Sequence, residues 1–258
     1  GHGVNLLALG LLLGFWAFGG LGITLGFHRM LAHQAFSAPA PVRALLLIAG
    51  TTALQGPCAD WAATHRRHHA KSDRDGDPHS PVEGFLHSHF GWLLRDRFVR
   101  TGKTYASIVE DPVVRFVSNT FWVWAGLGLV APFFIGLAVT GTLAGAWIAL
   151  LWGTAVRIFI SHHLTWAVNS LGHTFGTRPH DTHDRSHNNG FLAIFTWGEG
   201  WHNNHHAFPR SPFIGLRWYQ VDIGGYVLRL LAWMRLARLE WRVPRGLLKR
   251  KTAAAKAA

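Results

Sequence analysis

The chain has 258 residues, 49% hydrophobic and only 15% charged, with 13 Trp, 17 Phe and a formal net charge of +12. Soluble domains are about 25% charged and disordered chains are polar and poor in aromatics, so this composition argues against both. A single cysteine, Cys58, leaves no disulfide framework, Cys-based zinc module or iron–sulfur cluster, whereas 18 His outnumber the 13 carboxylates.

Residues 1–28 and 116–156 contain no Lys, Arg, Asp or Glu, so every basic residue falls in 29–115 or 157–258. Nucleic-acid binders instead gather basic residues on one face of a soluble fold. Basic blocks between apolar runs are what the positive-inside rule produces. The charge therefore marks a cytoplasmic side, and no nucleic-acid partner is expected.

In chain order, Val4–Gly26 is long enough for one membrane span, which takes about 20 apolar residues. The stretch 44–59 is shorter, and Thr51, Thr52, Gln55, Gly56 and Pro57 make its second half polar. It is expected to be a non-spanning helix against the cytosolic core, because a crossing there would put the basic residues on its two sides on opposite faces of the membrane. The run Phe116–Val156 is about twice a span with Thr140-Gly141-Thr142 near its middle. It predicts an antiparallel pair of spans, 119–139 and 143–161. Trp122 and Trp124 suit an interfacial belt, and Arg157 is expected to snorkel toward the basic side. The remainder, 29–115 and 162–246, forms a helical cytosolic cap, and Lys249–Ala258 reads as a frayed tail. The fold class is an all-α integral membrane protein, one domain over 1–258. Three spans leave the N-terminus opposite the basic blocks, and the chain begins with Gly, so a fourth, upstream span is expected in the full-length protein.

Three histidine clusters lie in the basic segments: His28 and His33; His65, His68 and His69; and His202, His205 and His206. Spacings of i, i+3 and i+4 place the last two sets on one helix face each. Five residues on a regular α-helix amount to about 140° of rotation, so His28 and His33 converge only where the helix loosens or ends. Eight inward imidazoles exceed the four to six ligands of one ion, which makes two metal ions the economical reading. Neutral imidazole suits Zn, Cu, Fe and Ni alike. His2, His79, His87, His89, His162, His163, His180, His183 and His187 are taken as ordinary surface or core residues. Carboxylate-rich di-iron proteins need paired Glu-x-x-His motifs, and only Glu199 with His202 offers one; HExxH, GxSxG, Walker and GxGxxG motifs do not occur.

The segments LGITLGFHRMLAHQAF (21–36), DWAATHRRHHAKSDRDGDPHSP (60–81), TWAVNSLGHTFGTRP (165–179) and WGEGWHNNHHAFP (197–209) resemble the membrane fatty acid desaturases, in the branch of stearoyl-CoA desaturase and the bacterial acyl-CoA desaturases. The likeness runs from about Trp16 to about Pro244. It implies two iron ions held by His28, His33, His65, His68, His69, His173, His202, His205 and His206, with Asn169 holding one of them through a water. It also implies a bent acyl tunnel with Gln55, Trp61, Thr165 and Trp166 at the kink and Trp16 limiting chain length.

The implied activity is O2-dependent insertion of a cis double bond, at Δ9, into a saturated acyl-CoA. The active site would face the cytosol at a bacterial cytoplasmic membrane. Ala63-Thr64 replaces the Arg-acidic pair that contacts CoA in the animal enzymes, which leaves acyl-phospholipid and acyl-carrier protein as alternative substrates. A membrane hydroxylase with the same cage and a His-lined metal transporter or sensor are the rival functions. Expected partners behind the imidazoles are Asp60, Asp73, Asp77 and Glu199. The 258 residues hold no cytochrome b5- or ferredoxin-like segment, so a separate ferredoxin, rubredoxin or cytochrome b5, with its reductase, is expected to supply electrons.

Overall fold

The Asn5 side chain accepts a hydrogen bond from the Ala8 amide and so caps α1, Leu6–Leu21, a helix without a polar face. The computed structural model describes residues 5–95, 98–244, 246–249 and 251–252. Helix α1 runs without a break into a π-helical segment, Gly22–Ala32. The two make one apolar rod, Leu6–Ala32. It extends past the expected end at Gly26 because Arg29 does not stop it. That guanidinium is only 1% exposed, with Asp222 and the Pro212 carbonyl as partners.

A two-residue strand β1, Phe36–Ser37, leads to α2, Ala40–Thr51, which packs on the π-helical segment and on α1. The approach is close: a Cβ on Gly22 would lie 2.0 Å from the Gly50 amide nitrogen. Helix α2 is too short to cross a bilayer, but the expected helix over 44–59 is corrected. It begins at Ala40 and ends at Thr51, and residues 52–57 form a bend with Leu54 at φ +58° and Gly56 at φ +94°. Gly56 and Pro57 cannot continue a helix, and α3, Cys58–Lys71, starts directly after the proline.

The cap continues with α4 (Phe85–His89), α5 (Gly102–Val109) and α6 (Pro112–Asn119). The predicted hairpin follows: α7, Phe121–Thr140, turns at left-handed Gly141 into α8, Leu143–Leu150, capped by Thr142. Trp122 is exposed on α7 and Trp124 is half-buried, its Nε1 donating to Thr120. A second π-helical stretch, Leu151–Val156, then α9, Arg157–Ser170, and a final turn to His173 complete one rod, Leu143–His173. It passes the expected end at residue 161, so 162–173 belongs to the rod and not to a separate cap.

The snorkelling assigned to Arg157 is corrected for the same reason. The residue is fully buried and donates to the carbonyls of Gly153 (2.9 Å), Thr52 (2.7 Å) and Gly128 (3.1 Å). Three helices, Leu6–Ala32, Phe121–Thr140 and Leu143–His173, are thus long and apolar enough to cross a membrane.

Helices α10 (Gly190–Phe195), α11 (His202–Ala207) and α12 (Ile223–Trp233) and strand β2 (Arg238–Leu239) complete the cap, and β2 pairs antiparallel with β1. The core joins the π-helical segment (Leu25, Phe27), α2 (Leu47), α3 (Ala59, Ala62), α6 (Val114, Val117) and α12 (Leu228). Residues 246–249 and 251–252 are helical, and Lys251 Nζ donates to the Ala207 carbonyl at 3.0 Å, so the described part of the tail folds back and is not frayed.

Candidate dimetal centre

The first box depends on the π-helical winding. Its turn closes hydrogen bonds five residues back, as in His33 N–H to the His28 carbonyl at 3.0 Å, so residues five apart share a face. The His28 and His33 rings accordingly stand 4.7 Å apart. Helix α3 supplies His65, His68 and His69, helix α11 supplies His202, His205 and His206, and His173 ends the third rod.

The nine imidazoles fall into two groups, His28, His33, His65, His69 and His205, and His68, His173, His202 and His206, each with donor atoms within 4.8 Å of one another. In the first group the Nε2 atoms of His28 and His205 are 3.1 Å apart, those of His33 and His65 2.8 Å, and those of His69 and His205 2.9 Å. In the second, His173 and His202 are separated by 3.0 Å, and His202 and His206 by 3.1 Å. Nitrogens about 2.1 Å from one ion lie about 3 Å from each other along a coordination polyhedron's edge, so both groups fit a metal ion. The helices alternate between them: His65 and His69 of α3 serve the first group and His68 the second, while on α11 His205 serves the first and His202 and His206 the second.

Four rings have a carboxylate behind them. Nδ1 of His28 lies 2.8 Å from Glu199, of His68 2.9 Å from Asp77, of His173 2.9 Å from Asp73 and of His206 2.8 Å from Asp184. A carboxylate at Nδ1 fixes the tautomer and turns Nε2 inward. Burial pushes these carboxyls up, but the adjacent imidazoles outweigh it and hold all four below the usual carboxylate range. Burial and neighbouring rings hold His33, His65, His69, His202 and His205 well below the ordinary imidazole value, and His206 falls to about 4. The shift favours the neutral imidazole, the form that binds metal.

Asp73, Asp77 and Glu199 thus stand where sequence reasoning places them. Asp60 does not: it faces away and pairs with Arg100 at 3.2 Å. Asp184 escaped notice because it sits in a loop far along the chain from His206, where helical spacing carries no signal. The two asparagines of HNNHH were also missed. Asn203 holds the His180 backbone N–H and carbonyl, and Asn204 holds Asn188, Gln220 and the Ile214 carbonyl, all on the side of α11 opposite the rings. Glu199 is delivered by a turn in which Gly198 has φ +111°; a Cβ there would strike Asp222 at 2.3 Å. Thr24 and Arg29 hold the other oxygen of Glu199.

Of the other histidines, His79 stacks on His68 at 4.3 Å, His89 pairs with His163 at 3.0 Å, and His162 donates to the Ala53 carbonyl; His2 lies outside the described residues.

Two clefts run below the cage. One has an apolar arm of Ile23, Leu164, Val168 and Phe195 and is lined as well by Trp16 and Trp197, whose rings stand 4.7 Å apart. The other is lined by His162, Trp166, Trp92, Leu93 and Phe98. They share Gln55, Trp61, His65, Thr165 and Asn169. At this junction Trp61 Nε1 donates to Gln55 Oε1 (3.1 Å) and Gln55 Nε2 donates to Thr165 Oγ1 (2.8 Å), while the Trp61 ring stacks on His65. Trp166 lines the second arm only, packed against His89, His162 and His163.

The family model described as fatty acid desaturase matches residues 4–238. The chain is 42% identical over 229 residues to an sn-1 stearoyl-lipid 9-desaturase of Anabaena variabilis, covering 88% of this chain and 80% of that one. It is 39% identical over 233 residues to a hex-5-enoyl-[acyl-carrier protein] acetylenase of Moorena producens, covering 86% and 73%. It is also 39% identical over 237 residues to an acyl-CoA C20 Δ5-desaturase of Anemone leveillei, covering 90% and 73%.

Proposed function

The chain belongs to the fatty acid desaturase family, and from that premise we propose that residues 1–258 act as one O2-dependent desaturase domain that inserts a cis double bond at position 9 of a saturated acyl-CoA. The observation that carries this reading is the junction of the two clefts, walled by Gln55, Trp61 and Thr165 directly beside His65 and Asn169. A chain lying in both arms bends there, and two adjacent CH2 groups stand next to the cage.

Two iron ions fit the reading, one on His28, His33, His65, His69 and His205, the other on His68, His173, His202 and His206 with Asn169 acting through a water. When bound they supply the reduction of O2 and the removal of two hydrogens, with electrons from a separate protein. The residues contribute geometry. Asp73, Asp77, Asp184 and Glu199 keep Nε2 of His173, His68, His206 and His28 aimed inward. The apolar arm excludes water and holds unactivated C–H bonds in place. Another cleft, lined by His69, Arg74, Asp184, His206 and Lys251, opens to the surface. It is the approach for an acidic electron donor such as a ferredoxin, rubredoxin or cytochrome b5, steered by the basic surface. By the positive-inside rule that face is cytosolic, in a bacterial cytoplasmic membrane.

A second reading, a glycerolipid-bound acyl chain, is favoured by Ala63 and Thr64. Both are buried, with Thr64 bonded to the Asp60 carbonyl and the Val99 amide, so neither reaches a CoA head group. Expression in a desaturase-deficient host, with mass spectrometry of its free, CoA-linked and lipid-linked fatty acids, tests the proposal. A Δ9 olefin is the expected product; an alcohol carrying oxygen from labelled O2 would replace it by the hydroxylase reading. The same assay reads Trp16→Ala, which removes the block against Trp197. The preference for a chain two carbons longer is expected to rise by at least about tenfold, as pocket fit to methylenes implies.

A further inference from the structure

We infer that His162 and Arg157 are positioning residues that set which carbon is oxidised, acting through the bend 52–57. This inference rests on the reading above, in which Gln55 helps to bend the acyl chain. The bend contains Leu54 in the left-handed region at φ +58°, a conformation that a leucine does not hold unaided. It is bolted from outside at three points, all on one rod. The Thr52 carbonyl accepts from Arg157 Nη1 at 2.7 Å, the Ala53 carbonyl from His162 Nε2 at 2.9 Å, and the Gln55 amide donates to Thr165 at 2.8 Å. A carbonyl is an acceptor only, so His162 Nε2 carries the proton in this contact.

His162, Thr165, Trp166 and Asn169 follow i, i+3, i+4 and i+7 and share one face of α9. One rigid face therefore carries the tether, the bend wall and Asn169, which lines both clefts together with His65. Loss of the His162 tether frees Ala53 and, two residues on, Gln55. A displacement of about 1 Å at the reacting centre changes rates by about a hundredfold, and here it changes which CH2 lies beside the cage.

The test uses the full chain, purified with iron, and stearoyl-CoA and a stearoyl glycerolipid as probes. The number of the oxidised carbon is read by mass spectrometry of derivatised products. His162→Leu keeps similar bulk without a donor, His162→Asn is too short to reach Ala53, and His162→Gln restores an N–H. In His162→Leu and His162→Asn the minor positional isomer is expected to rise by about tenfold or more with the iron content unchanged. His162→Gln is expected to return the wild-type pattern. A slower enzyme with an unchanged carbon number in both variants, or His162→Gln scattering as His162→Leu does, overturns the inference. An alcohol in place of an olefin would end the desaturase reading instead, while the carbon number still reports the register.

Discussion

His205→Ala is expected to abolish olefin formation while the protein still inserts in the membrane. His205 is 2% exposed, and its Nε2 stands 3.1 Å from that of His28 and 2.9 Å from that of His69. It is therefore the point where α11 meets both the π-helical segment and α3. Loss of a partner behind a ligand typically costs 10–100-fold, so removal of a ligand itself is expected to lower activity by more than about a hundredfold. Metal analysis is expected to give two iron ions in the parent protein and at most one in the purified variant. Unchanged olefin formation would remove His205 from the ligand set. Parent protein that takes up only zinc when prepared with ample iron would overturn the iron assignment.

Arg29→Met is expected to cause the largest loss of stability. The Arg29 guanidinium donates to both oxygens of Asp222 (2.7 and 3.1 Å) and to the carbonyl of Pro212 (3.0 Å), with Glu199 at 3.4 Å. Removing one partner of a buried charge pair costs about 3–5 kcal/mol, because the other charge is left uncompensated. Here Asp222 is the charge left, since Glu199 keeps His28 and Thr24. For a chain of this size that corresponds to a fall of about 10 °C in apparent Tm, followed by tryptophan fluorescence.

The sign with pH is fixed as well. Burial raises the Asp222 carboxyl, but Arg29 outweighs it and holds the carboxyl below its ordinary value. The parent protein therefore loses this contribution as pH falls through the carboxylate range, and Arg29→Met has none to lose. The stability difference between the two is expected to narrow in acid. Arg29→Lys restores a charge without the two-pronged fork and is expected to recover only part of the loss.

What the sequence announces are features with a period. The i, i+3, i+4 histidines, the apolar runs and the Thr-Gly-Thr turn are local, and each stands in the structure. The spacing of five between His28 and His33 was informative because it is wrong for an α-helix, and π-helical winding satisfies it. What failed was inference from charge. Arg157 reads as a residue at a membrane edge, yet it is buried because the carbonyls of Thr52 and Gly128 meet it, and Arg29 is likewise buried against Asp222 and the Pro212 carbonyl. Asp184, the bend at 52–57 and the division of nine rings into two groups depend on contacts between remote segments, for which helical spacing has no term.

The alternation of rings along α3 and α11 ties the two metal positions together. Neither helix belongs to one group, so a displacement of either alters both, and the gap between the two groups of rings is set by the backbone of α3 and α11. An ion bound by either group would order both helices and so lower the entropic cost of filling the other. Titration of the metal-free protein with iron is therefore expected to fill both groups together, with little half-loaded protein.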